Sequence, residues 1–221
     1  MAGAGAVARG RPHAALKKSS SSKQWLARHV NDPYVQRSKR EGYRSRSAYK
    51  LLEIDARDKL LKSGMVVVDL GAAPGGWSQV AWKKVGAAGK VVAVDLLPME
   101  PLAGVSIIQD DFTSRAGEAA VREALGGRKA DVVLSDMAPN LSGISVRDQA
   151  LTMVLAEAAR DFAVLHLQPQ GVLLVKVFQG AGYDDYLRSL RAAFAKVVVR
   201  KPEASRGESA EQYLLARGPK G

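Results

Sequence analysis

Lys176 stands in the run Val172-Leu173-Leu174-Val175-Lys176-Val177-Phe178, where every other side chain is apolar. An ammonium in such a strand gives up hydration, so it either serves a purpose there or snorkels to water at a sheet edge. A lysine amine that burial and neighbouring cations tip toward its neutral form can accept a proton from a weak nucleophile. Asp136 closes a second apolar run, Asp131–Ser135, and could hold such an amine in place. Lys50 and one late glutamate could complete a polar cluster around a reacting group. Glu208 and Glu211 both stand in the stretch Gly207–Tyr213.

A second constellation is the loop Val68-Asp69-Leu70-Gly71-Ala72-Ala73-Pro74-Gly75-Gly76-Trp77, which follows an apolar run and opens a helical one. A dinucleotide fingerprint would want glycine at 71, 73 and 76, but position 73 is alanine. Gly71, Gly75 and Gly76 suit a ligand without a pyrophosphate, whose amino-acid part lies against backbone. Asp95, at the end of the next apolar run, can accept both hydroxyls of a ribose. Asp111, past the third, can take an adenine amino group, with Leu96 or Phe112 flanking the ring. Three carboxylates at successive strand ends point to S-adenosylmethionine rather than a dinucleotide. For each residue taken alone, a turn glycine or a capping carboxylate is the plain alternative.

Alternating elements are needed to position these groups. The patterning predicts a helix over 45–62, strands at 65–70, 90–96, 106–109 and 131–136, and helices from 76 and over 115–125. A long helix over 149–167, a strand at 171–178, a helix over 183–195 and strands at 196–200 and 212–216 follow. Short β-branched runs separated by helices predict an α/β fold with a doubly wound, mainly parallel sheet. The link 201–211 has no helical pattern, so the seventh and last strand is expected antiparallel. That is the Rossmann-like architecture of class I methyltransferases. Residues 1–22, rich in Ala, Gly and Ser, are expected to be a disordered basic tail, with order starting near Trp25 and one domain over 23–221.

Charge is concentrated at the front. The formal net charge is +11, yet residues 1–50 hold 12 Lys and Arg against 2 Asp and Glu, while residues 51–221 hold 21 against 20. A basic front on a near-neutral body suits a polyanion, because Lys and Arg displace condensed counterions from phosphates. Tyr34, Tyr43 and Tyr49 alternate with Arg37, Lys39, Arg40, Arg44 and Arg46 inside a basic segment of about 23–62. Cations for phosphates and rings for unpaired bases predict an RNA surface there, with Arg37, Lys39, Arg40, Tyr43, Arg44 and Arg46 as its contacts. A solvated charged face with packing tyrosines is the alternative.

The chain has no cysteine, which excludes disulfides, thiolate zinc sites and a thiol nucleophile. No metal is expected, since no compact ligand cluster is evident. The longest helical stretch contains Glu157, Arg160 and Asp161, so no membrane span is expected. A cytoplasmic protein is predicted; the acid-free, basic first 31 residues also fit an organellar transit peptide, which makes a mitochondrial location the lesser alternative.

The acceptor can be narrowed. C5 methylation of pyrimidines typically uses a cysteine, and this chain has none. Exocyclic amine methylation usually uses a Pro-Pro-aromatic stack, whereas the segment here is Asp136-Met137-Ala138-Pro139-Asn140. Oxygen is the better acceptor. A ribose 2′-hydroxyl is a poor nucleophile near neutral pH, so its site needs a base or a strong orienting group, as Lys176 could provide.

Lys50, Asp136, Lys176 and Glu211 together resemble the Lys-Asp-Lys-Glu tetrad of 2′-O-ribose methyltransferases. The stretches Asp32–Val35, Glu41–Leu51, Val68–Gln79, Ser135–Asn140 and Val175–Gly180 look like the FtsJ/RrmJ family, over about residues 23–217. The resemblance implies a uridine of the 23S rRNA A-loop in a nearly assembled large (50S) subunit as substrate. It also implies cofactor contacts at Gly75, Trp77, Asp95, Asp111 and Asp136, Lys176 as principal catalytic residue, and a monomer. The alternatives are a relative acting on tRNA or mitochondrial rRNA, or a non-catalytic RNA-binding assembly factor.

Overall fold

The computed structural model describes residues 32–139, 145–207 and 209–220. The expected tail 1–22, the onset near Trp25, the transit-peptide alternative, Asn140 and Glu208 lie outside the described residues. Helices α1 (Pro33–Glu41) and α2 (Ala48–Asp58) precede the alternating body. That body runs β1 (Val66–Leu70), α3 (Gly76–Val85), β2 (Lys90–Asp95), β3 (Val105–Gln109), α4 (Arg115–Leu125), β4 (Ala130–Ser135) and α5 (Ser145–His166). It closes with β5 (Leu167–Phe178), α6 (Tyr183–Ala193), β6 (Phe194–Arg200) and β7 (Glu211–Pro219).

The strands form one seven-stranded sheet in the order β3-β2-β1-β4-β5-β7-β6. Pairings from β3 through β5 are parallel, and β7 runs antiparallel to both β5 and β6. The expected architecture is therefore found, with the last strand reversed and inserted between its two predecessors. Strand order reverses between β1 and β4, and the crevice beyond their carboxyl ends is where such sheets bind ligands.

Alternate side chains divide the core between the two faces. Val66, Val68, Leu70, Leu173, Val175 and Val177 pack under α4, α5 and α6. Val67, Leu134, Val172, Leu174, Tyr213 and Leu215 pack under α2 and α3. Because the side-chain period of a strand is two, Lys176 joins the second face with Val172 and Leu174. That is the face α2 covers, and α2 carries Lys50.

Three of the differences from the expected boundaries have a local cause. Helix α1 lies outside the predicted elements, although its signals are present. Asp32 caps it by accepting from the Tyr34 amide at 3.0 Å, Pro33 opens it, and Gly42 ends it in the left-handed region. Helix α2 stops at Asp58 rather than 62, because Lys59 turns left-handed at φ 51°. Helix α5 starts at 145 rather than 149 and gives way directly to β5 at Leu167, whose pairing with Ala130 precedes a register shift.

Candidate active site

The cluster is assembled by register. Lys176 of β5 lies directly opposite Tyr213 of β7, and Phe178 opposite Glu211, so Tyr213 and Glu211 emerge on the face that carries Lys176. Ser135 of β4 pairs with Val175, which puts Asp136 one residue beyond the strand end and beside Lys176. Lys176 Nζ donates to the Asp136 carbonyl at 2.6 Å and lies 3.1 Å from its Oδ1. Lys50 Nζ, from α2, is 2.7 Å from Glu211 Oε1 and donates to Oε2 at 2.8 Å. Ser205 adds its hydroxyl to Glu211 Oε1 at 2.8 Å.

Tyr213 joins the two ion pairs. Its hydroxyl donates to Asp136 Oδ1 at 2.8 Å, and Lys50 Nζ lies 5.7 Å from its ring centre. Burial, then the charges of Asp136 and Glu211, push its hydroxyl well above the ordinary range, so it remains a donor. All four predicted tetrad residues come together, with Lys176 only 8% exposed and Glu211 7%. Neither Tyr213 nor Ser205 is singled out by sequence reasoning. Tyr213 has one signal, its place two residues after Glu211 on the same side of a strand.

The residues expected to bind the methyl donor stand in the glycine loop and at the neighbouring strand ends. Asp95 ends β2 and holds the glycine loop through the Ala73 amide (2.8 Å to Oδ2), while Oδ1 accepts from the Leu97 amide at 2.8 Å. Asp111 Oδ1 accepts from the amide and hydroxyl of Thr113. Gly75 has φ 104°, a left-handed conformation that suits glycine, and a Cβ there would meet Arg44 Nη1 at 3.0 Å. Trp77 is buried, its indole donating to the Ser47 carbonyl at 2.8 Å and packing 5.6 Å from the Tyr213 ring. Only its backbone at the start of α3 can face a ligand. Of the two candidate ring flanks, Leu96 is 68% exposed, whereas Phe112 is buried edge-on against Phe162.

Glycine backbone plus carboxylates at Asp95, Asp111 and Asp136 supply acceptors for hydroxyls, an exocyclic amine and an ammonium. That donor set fits a nucleoside bearing an amino acid and is ill suited to a pyrophosphate. Beneath the loop, Asp69 is fully buried; its Oδ2 accepts from Ser78 Oγ at 2.6 Å and its Oδ1 has no partner. Burial first, with Asp136 and Asp95 adding to it, pushes this carboxyl up to about 7.

The basic segment divides into two groups. Lys39 and Arg40 are exposed on α1, and Arg37 pairs with Glu41 at 2.8 Å while lying over the Tyr49 ring. Tyr34, Tyr43 and Tyr49 pack on one another, with ring centres 5.5 and 5.6 Å apart, and Lys83 covers Tyr43 at 4.2 Å. The Tyr49 hydroxyl, buried and donating to Glu41, is pushed up to about 12. Arg46 bonds Asp32 and the Ala204 carbonyl, and Arg44 bonds three other carbonyls. Of the residues expected to meet RNA, Arg37, Tyr43, Arg44 and Arg46 also have protein partners, which fasten the segment to the body. Among the described residues, no three His, Cys, Asp or Glu are grouped to hold a metal, and no helix is long and apolar enough to cross a membrane.

A doubly wound seven-stranded sheet with a reversed last strand and acceptors at the ends of β2, β3 and β4 defines a class I methyltransferase. The profile of the FtsJ-like methyltransferase family matches residues 43–219, and the chain belongs to that family. It is 58% identical over 200 residues to a protein of Chromohalobacter salexigens named Ribosomal RNA large subunit methyltransferase E, with 90% of this chain and 95% of that one covered. A protein of the same name from Marinobacter nauticus is 54% identical over 203 residues, covering 92% and 98%. A solved structure described as a ribosomal RNA methyltransferase of Plasmodium falciparum superposes with a TM-score of 0.72 at 28% identity, covering 81% of this chain and all of that one.

Proposed function

We propose that the chain transfers a methyl group from S-adenosylmethionine to a ribose 2′-hydroxyl of large-subunit rRNA, at a uridine of the 23S A-loop. The observation that carries this reading is Lys176, an amine buried in a sheet, fixed by Asp136, and joined through Tyr213 to the Lys50–Glu211 pair. Its support in kinship is the naming of relatives that share more than half of their residues with it.

Bound adenosylmethionine supplies a methyl group on a sulfonium. The chain's residues do the rest. Gly75, the Trp77 backbone, Asp95, Asp111 and Asp136 bind the donor, with Leu96 against its ring. Lys176, once it has given up its own proton, orients the 2′-oxygen and takes its proton as the oxygen–methyl bond forms and the sulfur–methyl bond breaks to leave S-adenosylhomocysteine, while Lys50 and Glu211 fix the ribose. Arg37, Lys39 and Arg40 hold the RNA backbone. The partner is the 50S subunit in the cytoplasm, met by a monomer.

The test is methyl transfer from labelled adenosylmethionine to undermethylated large subunits, naked 23S rRNA and tRNA in parallel, with the modified nucleotide identified. The expected product is 2′-O-methyluridine in the large subunit. Lys176→Ala is expected to lower turnover by roughly 10²–10⁴-fold and to keep donor binding. Label only in tRNA, or a Lys176→Ala enzyme with normal turnover, would overturn the reading.

A further inference from the structure

Residues 42–47 cross the mouth of the donor crevice as a strap between α1 and α2. Both ends of Gln79 on α3 fasten it: Oε1 accepts from the Arg44 amide at 3.1 Å, and Nε2 donates to the Gly42 carbonyl at 2.7 Å. The Trp77 indole holds the Ser47 carbonyl. The strap lies so close that a Cβ at Gly76 would sit 2.2 Å from Ser45 Oγ.

From this strap the Arg44 guanidinium reaches two different loops. Nη1 donates to the Glu100 carbonyl at 2.7 Å and to the Pro74 carbonyl at 3.3 Å, and Nη2 donates to the Pro101 carbonyl at 2.7 Å. Pro74 belongs to the β1–α3 loop that presents Gly75; Glu100 and Pro101 belong to the β2–β3 loop that begins just after Asp95. These loops frame the two sides of the donor crevice. At its base they are joined by the Gly71 and Ala72 amides on the Val94 carbonyl and by the Ala73 amide on Asp95. Farther out, Arg44 spans them.

A planar fork with several donors suits such bridging, where a lysine's single ammonium would not reach both loops equally. Three of its five N–H donors are committed to backbone carbonyls, which fixes the guanidinium between the two loops. We infer that Arg44 is a positioning residue that clasps the β1–α3 and β2–β3 loops around the methyl donor, instead of a contact to RNA phosphate. The strap continues into α1 with its exposed cations and into α2 with Lys50, so donor affinity and RNA docking share one segment. The inference rests on the proposed adenosylmethionine site.

The experiment is calorimetric titration of the full chain and its Arg44→Ala and Arg44→Lys variants with S-adenosylhomocysteine, with KM for adenosylmethionine and kcat measured alongside. Arg44→Ala is expected to weaken binding about tenfold, as loss of charge-assisted hydrogen bonds does, and Arg44→Lys to recover part of it. The defect should fall on KM for the donor more than on kcat, and RNA affinity without donor should keep its salt dependence. Unchanged S-adenosylhomocysteine affinity together with weaker, less salt-sensitive RNA binding would overturn the inference. Amide exchange at residues 97–102 of the ligand-free chain separates this outcome from failure of the donor assignment. If the wild-type chain binds no S-adenosylhomocysteine, the donor assignment fails, whereas faster exchange in Arg44→Ala supports the clasp and unchanged exchange in both variants overturns it.

Discussion

Asp69 and Tyr213 show how single residues beneath the site determine its electrostatics. Tyr213 keeps its proton and lends it to Asp136, which can then hold Lys176 without adding an unsatisfied lone pair to the core. Asp69 does the reverse, since one of its oxygens is buried without a partner. Its carboxyl titrates at about 7 in the folded chain, against about 3.9 unfolded. Below pH 4 both states hold the proton and the group contributes nothing. Between pH 4 and 7 the unfolded chain ionises first, so stability declines, by a total on the order of 4 kcal/mol, and above pH 7 the decline is complete. Asp69→Asn removes this titration. The variant is expected to gain stability relative to the wild type as pH rises from 5 to 8 in urea unfolding, whatever constant offset the new amide introduces; parallel curves would rule out the raised carboxyl.

At the scale of elements, the end of α2 is a place where sequence and backbone disagree. Lys59 is the non-glycine residue with positive φ among the described residues, at 51°, and its amide caps the helix on the Asp55 carbonyl. A left-handed conformation costs a side-chain-bearing residue about 1–2 kcal/mol, and glycine at this position avoids the cost. Lys59→Gly is expected to raise the midpoint of thermal unfolding by about 2–4 °C; a fall would show that the lysine stem packs where the backbone suffers. The expected helix overruns to 62 because no glycine marks the stop. The strands are legible for the opposite reason, since Val66–Leu70 and Val172–Phe178 are apolar, β-branched runs of a kind that only a doubly covered sheet accommodates. The tetrad is legible because Lys176 interrupts an apolar run, Asp136 and Glu211 stand at the ends of two others, and Lys50 completes a resemblance to a known set of four. Tyr213 is not, because its role depends on β7 inserting beside β5 in a register that sets it opposite Lys176. Arg44 is not either: an arginine among tyrosines looks the same whether its fork meets a phosphate or the carbonyls of a loop 56 residues away.

Across the whole molecule, charge is divided by location more than by amount. The body past residue 50 is nearly neutral, and much of the excess lies in the first fifty residues. Within the described part of that front, Arg46 is committed to Asp32 and Ala204, Arg44 to loop carbonyls, and Lys50 to Glu211. Lys39 and Arg40 are exposed on α1, Arg40 at 78% of its side-chain surface and 4.0 Å from Glu41, while Arg37, also exposed, pairs with Glu41 at 2.8 Å. Cations that release counterions from phosphates lower the salt slope of binding when removed, whereas cations with protein partners lower stability instead. Lys39→Ala with Arg40→Ala is therefore expected to flatten the plot of log affinity against log salt by roughly 0.7–0.9 for each phosphate that is no longer neutralised. The midpoint of unfolding and the affinity for S-adenosylhomocysteine should stay at their wild-type values. Arg46→Ala should do the opposite, lowering the unfolding midpoint because it leaves Asp32 partly unpaired beside the cap of α1. RNA titrations from 50 to 300 mM salt, run beside thermal melts of the same preparations, distinguish the two. A double variant with an unchanged salt slope would move the RNA surface off α1.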